Sequence, residues 1–372
     1  MECRRLITVV AFSLHSRTPS LQLSPSSSST AMHSLSLALL VGLASLTVSA
    51  LPSSHKGHAH HASAAPVVQE VHVFPVNTSV ENLAVRHSGE ILATLNSAPE
   101  LYQIDPFCDN AATVLVHEFE GYTSLFGIVE LEKDHFYIAA GNFSVFTIQA
   151  VPGWWAIFHV DMSSFHTGQD GSIQSLAVVE KVVEIPEGEF LNGAGVFSAE
   201  DGLMYVADSG SGIIYLVDVL RRDYWAAIQD PLTIKGQPMP DYPSVNGVHY
   251  NAASQTVFFS NVAQELYGRV PVFSNGSQAG AAEVVLQGDL YDDFLLDEAG
   301  NAFITLLAGD GVILVDAGSG ESTVISHSSE LEAPSAVARG RAAHDWHSLY
   351  VSRNGGIGRP TVVGGGVVRI DL

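Results

Sequence analysis

Four polar side chains stand at the start of apolar, strand-like segments. They are Glu81, Asn192, Asn246 and Asp292, and each opens a short run rich in Leu, Val, Phe or Ala. Carboxylate and amide oxygens that converge can bind a hard cation, most naturally Ca²⁺, with Mg²⁺, Mn²⁺ or Zn²⁺ as alternatives. Carboxyl groups also serve as general acids and bases. The alternative is that these Asn-Gly and Asp-Asp pairs only form turns, but their recurrence in four segments favours a polar site.

An internal repeat predicts how these residues meet. A turn, a strand, a Gly-marked turn and a second strand ending near Asp recur in six units of about fifty residues, a period typical of four-stranded propeller blades. The clearest copies begin at Glu81, Asn192, Asn246 and Asp292, and looser copies begin at Leu125 and Pro334. We therefore predict an all-β fold, a six-bladed β-propeller of four-stranded antiparallel blades. The inner strands of such a fold surround one channel, so the four polar residues would lie around one of its mouths.

The two ends of the repeat region predict how the propeller closes. Val68 to Phe74 and Val367 to Leu372 both have strand-like sequences. In propellers, strands from the two termini commonly share a blade, which removes the open edge. Helical patterns are nearly absent, and Leu220 to Ile228 is the one segment that we expect to form a helix.

The composition excludes several classes of partner. The chain has 372 residues, of which 47% are apolar and 15% charged, enough apolar material for a large core. Its formal net charge is -23, and its 16 Lys and Arg residues form no basic stripe. Nucleic acid and anionic membrane surfaces are therefore not expected as partners. We expect a monomer that takes a small-molecule substrate.

The first 50 residues predict a leader with a signal peptide. Leu35 to Val48 is apolar and is followed by the small-residue cleavage signal Val48-Ser49-Ala50. The apolar stretch is too short for a membrane span. Met32 directly precedes it, so either translation starts there or the leader is unusually long. We predict entry into the secretory pathway, with a secreted, vesicular or vacuolar destination.

Residues 51–66 predict a flexible linker, and residues 67–372 form the propeller domain. The linker carries four histidines, His55, His58, His60 and His61. A metal-binding tail is the alternative interpretation of this segment.

Cysteine usage and glycosylation signals agree with export. Cys3 would be removed with the leader, which leaves Cys108 alone and excludes an internal disulfide. Asn-x-Ser/Thr sequences mark Asn77, Asn142 and Asn275 as predicted N-glycosylation sites.

The segments around the four polar residues resemble a known family. Glu81-Asn82-Leu83-Ala84-Val85, Leu191-Asn192-Gly193, Asn246-Gly247-Val248-His249-Tyr250, and Asp292 eight residues before Gly300 carry the resemblance. The chain is similar, from roughly Val71 to Leu372, to the gluconolactonase, regucalcin and senescence marker protein superfamily of six-bladed propellers. The resemblance implies that Glu81, Asn246 and Asp292 bind a divalent metal and that Asn192 lies near the substrate. Asp293 stands where the family usually has Gly, and this second carboxylate would add a ligand, alter neighbouring pKa values or only cap the turn.

Three longer phrases resemble a fungal secreted branch of these propellers. They are Glu81 to Arg86, Pro99 to Pro106 and Asp292 to Asp297. Members of this branch with a defined role resemble hetero-Diels-Alderases of specialised metabolism, which join a tropolone-type quinone methide to a terpene such as humulene. By this analogy our first hypothesis is a hetero-Diels-Alderase-like enzyme.

Two other functions remain open. In a metal-dependent lactonase, the metal would polarise a carbonyl or a water while Asp292 or Asp293 moves the proton. In the cycloaddition hypothesis, a dry channel mouth holds two apolar reactants and the same acidic cluster expels water from a hydroxylated precursor. The third hypothesis is a ligand-binding propeller without catalysis.

No nucleotide or flavin is expected, because the Gly runs at Ser209 to Gly212 and Gly364 to Gly366 do not open a helix.

Further candidate site residues lie beside the turns that open the blades. The predicted catalytic set is Asp292, Asp293 and His249, the last being a candidate base or extra ligand. The predicted substrate-binding set is Asn192, Phe126, Tyr250 and Tyr291, with Phe143 as a further neighbour. Packing between blades is the alternative for the aromatic residues, and a hydrogen-bonded core position is the alternative for His249. Trp154 and Trp155 would line a rim or pack within a sheet.

Overall fold

The computed structural model describes residues 66–108, 112–168 and 170–372. These residues form β-strands and turns, with one 3-10 helical turn at Ser329–Leu331. Within this part of the chain no helix is long and apolar enough to cross a membrane. The predicted leader, signal peptide and His-rich linker lie outside the described residues, except for Pro66.

Six four-stranded antiparallel sheets form the six blades, which confirms the predicted all-β six-bladed propeller. The first strand, β1 (Val67–Val76), belongs to the last blade. From inner to outer strand, blade 1 consists of β2 (Val80–Val85), β3 (Ile91–Leu95), β4 (Glu100–Asp105) and β5 (Ala112–Glu118). Blade 2 consists of β6 (Ser124–Glu132), β7 (His135–Ser144), β8 (Gln149–Asp161) and β11 (Val178–Glu184). A small separate hairpin, formed by β9 (His166–Thr167) and β10 (Ile173–Ser175), lies between β8 and β11 in the chain. Blade 3 consists of β12 (Leu191–Ser198), β13 (Leu203–Asp208), β14 (Ile213–Asp218) and β15 (Asp223–Gln229), and blade 4 of β16 (Val245–Asn251), β17 (Thr256–Asn261), β18 (Leu266–Pro271) and β19 (Glu283–Gln287). Blade 5 consists of β20 (Tyr291–Leu296), β21 (Ala302–Leu306), β22 (Gly311–Val315) and β23 (Ser322–His327), and blade 6 of β24 (Pro334–Arg339), β25 (Ser348–Arg353), β26 (Gly364–Asp371) and β1.

The two ends of the described chain meet in blade 6, as predicted. Strand β1 pairs antiparallel with β26, from Val67 opposite Asp371 to Val76 opposite Gly364. Gly364 is required at this seam, because a Cβ there would lie 1.6 Å from the carbonyl oxygen of Phe74. The N-terminal strand therefore supplies the outer edge of the blade that the C-terminal strand belongs to.

The burial of each strand follows its place in a blade. Every residue of β3 is buried, because β3 lies in the interior of its sheet and both faces of the sheet pack against neighbouring blades there. The outer strand β11 is largely exposed and carries Glu180, Lys181 and Glu184. Apolar clusters fill the spaces between adjacent blades, for example where Phe126 and Trp155 of blade 2 meet Met204 and Val206 of blade 3.

The predicted helix at Leu220 to Ile228 is wrong. Residues Asp223–Gln229 form β15, the outer strand of blade 3, and pair with β14. Tyr224, Trp225 and Ile228 favour a strand, although the two alanines between them favour a helix. The strand forms because the edge of β14 offers hydrogen bonds and the blade offers an apolar face for Ala227 and Ile228.

Candidate active site at the inner-strand bulges

A β-bulge interrupts the inner strand of every blade near its start. In each blade the pairing with the second strand shifts at this point. The residue pairs at the bulges are Glu81-Asn82, Phe126-Gly127, Asn192-Gly193, Asn246-Gly247, Asp292-Asp293 and Ser335-Ala336. A bulge re-aims the side chains of the extra residue and its neighbour. The four polar residues predicted from the sequence thus occupy structurally equivalent positions around the channel.

Glycines allow the inner strands to approach closely at this level. A Cβ on Gly193 would lie 2.3 Å from the carbonyl oxygen of Asn246, and one on Gly127 would lie 2.6 Å from that of Asn192. A Cβ on Gly247 would lie 2.4 Å from Oδ1 of Asp293. The second bulge position is therefore closed to a side chain in blades 2, 3 and 4, whereas blades 1 and 5 place Asn82 and Asp293 there.

The carboxyl groups of Glu81 and Asp292 form an interacting pair, because the charge of Glu81 acts on Asp292. Burial raises the pKa of Glu81 to about 8, and the nearby Asp293 carboxylate adds to the effect. Burial also raises the pKa of Asp292 well above its usual range, with further contributions from Glu81 and Asp293, while the Asn246 side chain acts in the opposite direction. Desolvation and like-charge repulsion both disfavour two ionised carboxylates here. Near neutral pH this pair therefore holds a proton or requires a compensating cation.

Asn96 is a site residue that the sequence interpretation missed. Its Nδ2 donates a hydrogen bond to Oε2 of Glu81, and its backbone carbonyl accepts one from Ser124 Oγ at 2.8 Å. The sequence signal is weak: Asn96 is simply the first polar residue after the buried strand β3. Its role depends on the pairing of β3 with β2, which the local sequence does not state.

Asp293 and His249 form a second polar group together with Asn82. Asn82 Nδ2 donates to Oδ2 of Asp293 at 2.7 Å, and His249 Nε2 lies 2.9 Å from Oδ1 of Asp293. The backbone N–H of Phe294 also donates to Asp293 Oδ1, at 2.8 Å. The His249 ring packs edge to face against Phe294. Asp293 thus accepts a hydrogen bond from the backbone of its own strand, and its charge raises the pKa of Glu81 and of Asp292.

The predicted aromatic site residues lie mainly in packing between blades. Phe126 is at a bulge but is only 1% exposed and contacts Phe143, Trp155 and Phe190. Tyr250 packs against Phe197 and Tyr205, and Tyr291 is buried in the cluster between blades 4 and 5. Trp155 is buried and its Nε1 donates to the carbonyl of Glu189, whereas Trp154 is exposed. Contact of Phe126, Tyr250 and Tyr291 with a substrate stays a prediction.

The oxygen atoms at the first bulge position, those of Glu81, Asn246 and Asp292, fit a hard cation in one respect. Oδ1 of Asp292 is buried and has no hydrogen-bond partner, so it is an acceptor whose capacity is not used by the protein. Within the described ranges, however, no three His, Cys, Asp or Glu side chains come together as a metal-binding group. A cation would therefore depend on the two carboxyl groups of Glu81 and Asp292 and on the amide of Asn246.

The predicted glycosylation sites differ in accessibility. Asn77 and Asn275 are exposed, and Asn275 Oδ1 accepts hydrogen bonds from Ser277. Asn142 is partly buried and its Oδ1 lacks a hydrogen-bond partner. Modification at all three positions stays a prediction.

Comparisons with known proteins find similar folds at low sequence identity. No protein-family model and no curated protein sequence matches the chain. A luciferin-regenerating enzyme superposes with a TM-score of 0.59 at 13% identity, over 83% of this chain and 96% of the other. The PQQ-bound aldose sugar dehydrogenase from Streptomyces coelicolor gives 0.54 at 14% identity, over 83% and 99%. The calcium-binding protein regucalcin from Agrobacterium tumefaciens gives 0.53 at 14% identity, over 82% and 92%. At these identities the similarity establishes the fold alone: the chain is a propeller of the architecture that these proteins share.

Proposed function

We propose that this protein is a small-molecule enzyme that acts by general acid–base chemistry at the inner-strand bulges. The observation that carries the proposal is the Glu81–Asp292 pair, in which burial and repulsion raise both pKa values. A carboxyl group that keeps its proton near pH 7 can donate it to a leaving group, and its ionised partner can accept one. Strongly perturbed carboxyl groups at the end of a channel are typical of catalytic sites.

An uncharged hairpin next to this pair supports an apolar substrate. Strands β7 and β8, with 10 and 13 residues, are longer than the second and third strands of the other blades, and the chain has no Asp, Glu, Lys or Arg from residue 135 to residue 160. The hairpin exposes large apolar side chains, including Phe146 in its turn at 63% and Trp154 in β8 at 57%. Ser124 Oγ connects the base of the hairpin to the site, since it lies 2.8 Å from the carbonyl oxygen of Asn96 and 3.0 Å from that of Phe143, and can donate to either. In a strongly acidic protein, such a surface favours an apolar molecule over a charged one.

The first candidate reaction is dehydration followed by hetero-Diels-Alder cycloaddition, as the resemblance to fungal propellers implies. A protonated carboxyl of the pair would donate its proton to a hydroxyl group, which leaves as water. The ionised carboxyl would remove a proton from the same precursor, which yields a neutral quinone methide. Addition to the terpene then needs no proton transfer, and orientation against the apolar hairpin would supply most of the rate enhancement.

A divalent-metal-dependent lactonase is the second candidate. It is favoured by the unpartnered Oδ1 of Asp292 beside Glu81 and Asn246, which would hold the ion, Ca²⁺ being the expected one. When bound, the metal would supply Lewis-acid activation of a carbonyl or water. The positive charge of the ion would also offset the repulsion between the buried carboxylates of Glu81 and Asp292, which a bound proton otherwise relieves.

One experiment separates the two candidates. The purified protein is assayed with a lactone panel and with a tropolone-type hydroxylated precursor plus humulene, before and after chelation. The acid–base proposal expects turnover of the precursor that survives chelation and is lost in Asp292→Asn. The control is Glu298→Gln, because Glu298 is exposed in the turn that follows β20, whereas the bulge of that strand lies at its start. Chelator-sensitive lactone hydrolysis would support the second candidate instead, and binding without turnover of either substrate class would refute both.

A further inference from the structure

The central channel contains a cavity on the other side of the bulges from Glu81 and Asp292. Its volume is about 320 Å³, which is within the range of small-ligand sites. Apolar side chains of the inner strands form most of the wall, among them Leu83, Val129, Leu295 and Val337. Polar groups occur in two places: Asn82, His249 and Asp293 lie next to the bulges, and Glu130, Arg339 and Arg341 lie further along the strands.

The two arginines in this cavity differ in their partners. Arg341 Nη1 pairs with Glu130 and donates to the carbonyl of Val85 at 2.9 Å. The Arg339 guanidinium lies over the ring of Phe303, 5.3 Å from its centroid. In the part of the chain that the structure describes, the guanidinium of Arg339 has no hydrogen-bond or ion-pair partner, although its backbone pairs with Leu349 in the sheet. An unpaired cation in a cavity is unexpected in a chain with a net charge of -23.

The His249–Asp293 pair presents the imidazole ring to the same cavity. Asp293 occupies the second bulge position, where blades 2, 3 and 4 have glycine, so its carboxylate reaches His249 Nε2 and Asn82 Nδ2. The hydrogen bond at Nε2 leaves the Nδ1 edge of the ring for another molecule. The His249 side chain is 26% exposed, whereas that of Asp293 is 6% exposed.

We propose that this cavity binds a small monocarboxylate with an apolar body, with its carboxylate on Arg339 and its body reaching toward His249. The charges favour a monoanion: one guanidinium is unpaired, while Glu130 and Asp293 would repel a second negative charge. His249 is two residues after the bulge of its inner strand, and Arg339 is three residues after the bulge of its own. Arg339 lies three residues beyond the strand position that corresponds to Asp293, so at about 3.3 Å per residue the two positions are roughly 10 Å apart along the channel.

The test uses benzoate as the probe and the ring resonances of ¹³C-labelled histidine as the readout, at constant pH and ionic strength. We expect a saturable shift of the His249 resonance, assigned with His249→Gln. Arg339→Gln should weaken benzoate binding at least tenfold, and Arg339→Lys should weaken it less. The matched control is Arg221→Gln, because Arg221 is highly exposed and pairs with Asp218 in blade 3; it should bind like the wild type. Benzamide, which lacks the charge, should not bind.

A second variant protects the test against misfolding of Arg339→Gln. Ala338→Leu keeps every charge but fills part of the cavity, because Ala338 lines it; it should also abolish the shift. Benzoate binding is measured without turnover, so failure of the proposed acid–base function would not affect this result. Equal affinity in Arg339→Gln and the wild type, an equal response to benzamide, or no saturable His249 shift would overturn the proposal.

Discussion

Replacement of Glu81 by Gln should change how the stability of the protein depends on pH. The pKa of Glu81 is about 8 in the folded protein, against 4.5 for an exposed Glu, so the folded state holds this proton more tightly than the unfolded state does. The resulting stabilisation is complete below about pH 4.5 and is lost as the pH rises through about 8. A gap of about 3.5 pH units at about 1.4 kcal/mol each sets an upper limit of roughly 5 kcal/mol. Partial contact of Glu81 with water reduces the expected loss to about 2 to 3 kcal/mol.

The assay is urea denaturation of the wild type and Glu81→Gln at pH 5, 6, 7, 8 and 9. Glutamine can still accept the hydrogen bond from Asn96 but carries no proton to lose. We expect similar free energies of unfolding at pH 5 and a more stable variant at pH 9. Asp292 remains in the variant, so part of the pH dependence remains and should disappear in the double variant with Asp292→Asn. The control is Glu298→Gln, because Glu298 is exposed in a turn.

Parallel pH profiles for the wild type and Glu81→Gln would refute the reasoning, since they would mean that the proton is not held at Glu81. The same measurement with added Ca²⁺ tests the metal-dependent alternative. A cation bound by the pair would raise the stability of the wild type at pH 9 and would have little effect on the double variant.

Three other substitutions test separate parts of the structure. Asp293→Ala should lower the free energy of unfolding by about 1 to 3 kcal/mol in urea denaturation, because it leaves a buried amide without its acceptor; a neutral result would mean that water replaces the carboxylate. Gly193→Ala should lower the melting temperature strongly, as its Cβ would meet a carbonyl oxygen at 2.3 Å, while the control Gly318→Ala, with 3.4 Å to its nearest atom, should not; equal melting temperatures would contradict the close strand approach. Phe146→Ser should raise KM for an apolar substrate with an unchanged melting temperature, and an unchanged KM would show that the hairpin does not contact it.

The bulges explain how adjacent residues come to serve different sites. Asp292 interacts with Glu81 and Asn246, whereas Asp293 bonds Asn82 and His249 and lines the channel cavity. A bulge re-aims the side chains of the residues that form it. The charges of both Asp residues still act on Glu81, so the two sites are electrostatically linked although they face different spaces.

Periodicity in the sequence determined the fold and the equivalent placement of the polar residues. Each blade repeats the same turn and strand pattern, so Glu81, Asn192, Asn246 and Asp292 were assigned to corresponding strand starts without knowledge of the tertiary structure. The same pattern predicted that the first and last strands share a blade. These features are local and repeated, and local patterning is what a sequence states directly.

The tertiary structure decided what local patterns do not contain. Pairing of β3 with β2 brought Asn96 to Glu81, and the free edge of β14 made Asp223–Gln229 an outer strand. The bulge in β20 directed the side chains of Asp292 and Asp293 to different partners. Packing between blades buried the side chain of Phe126, which the sequence had placed beside the channel. The raised pKa of Glu81 likewise follows from burial and from charges on other blades. Each of these depends on contacts between residues far apart in the chain, whose geometry is set only when the blades pack together.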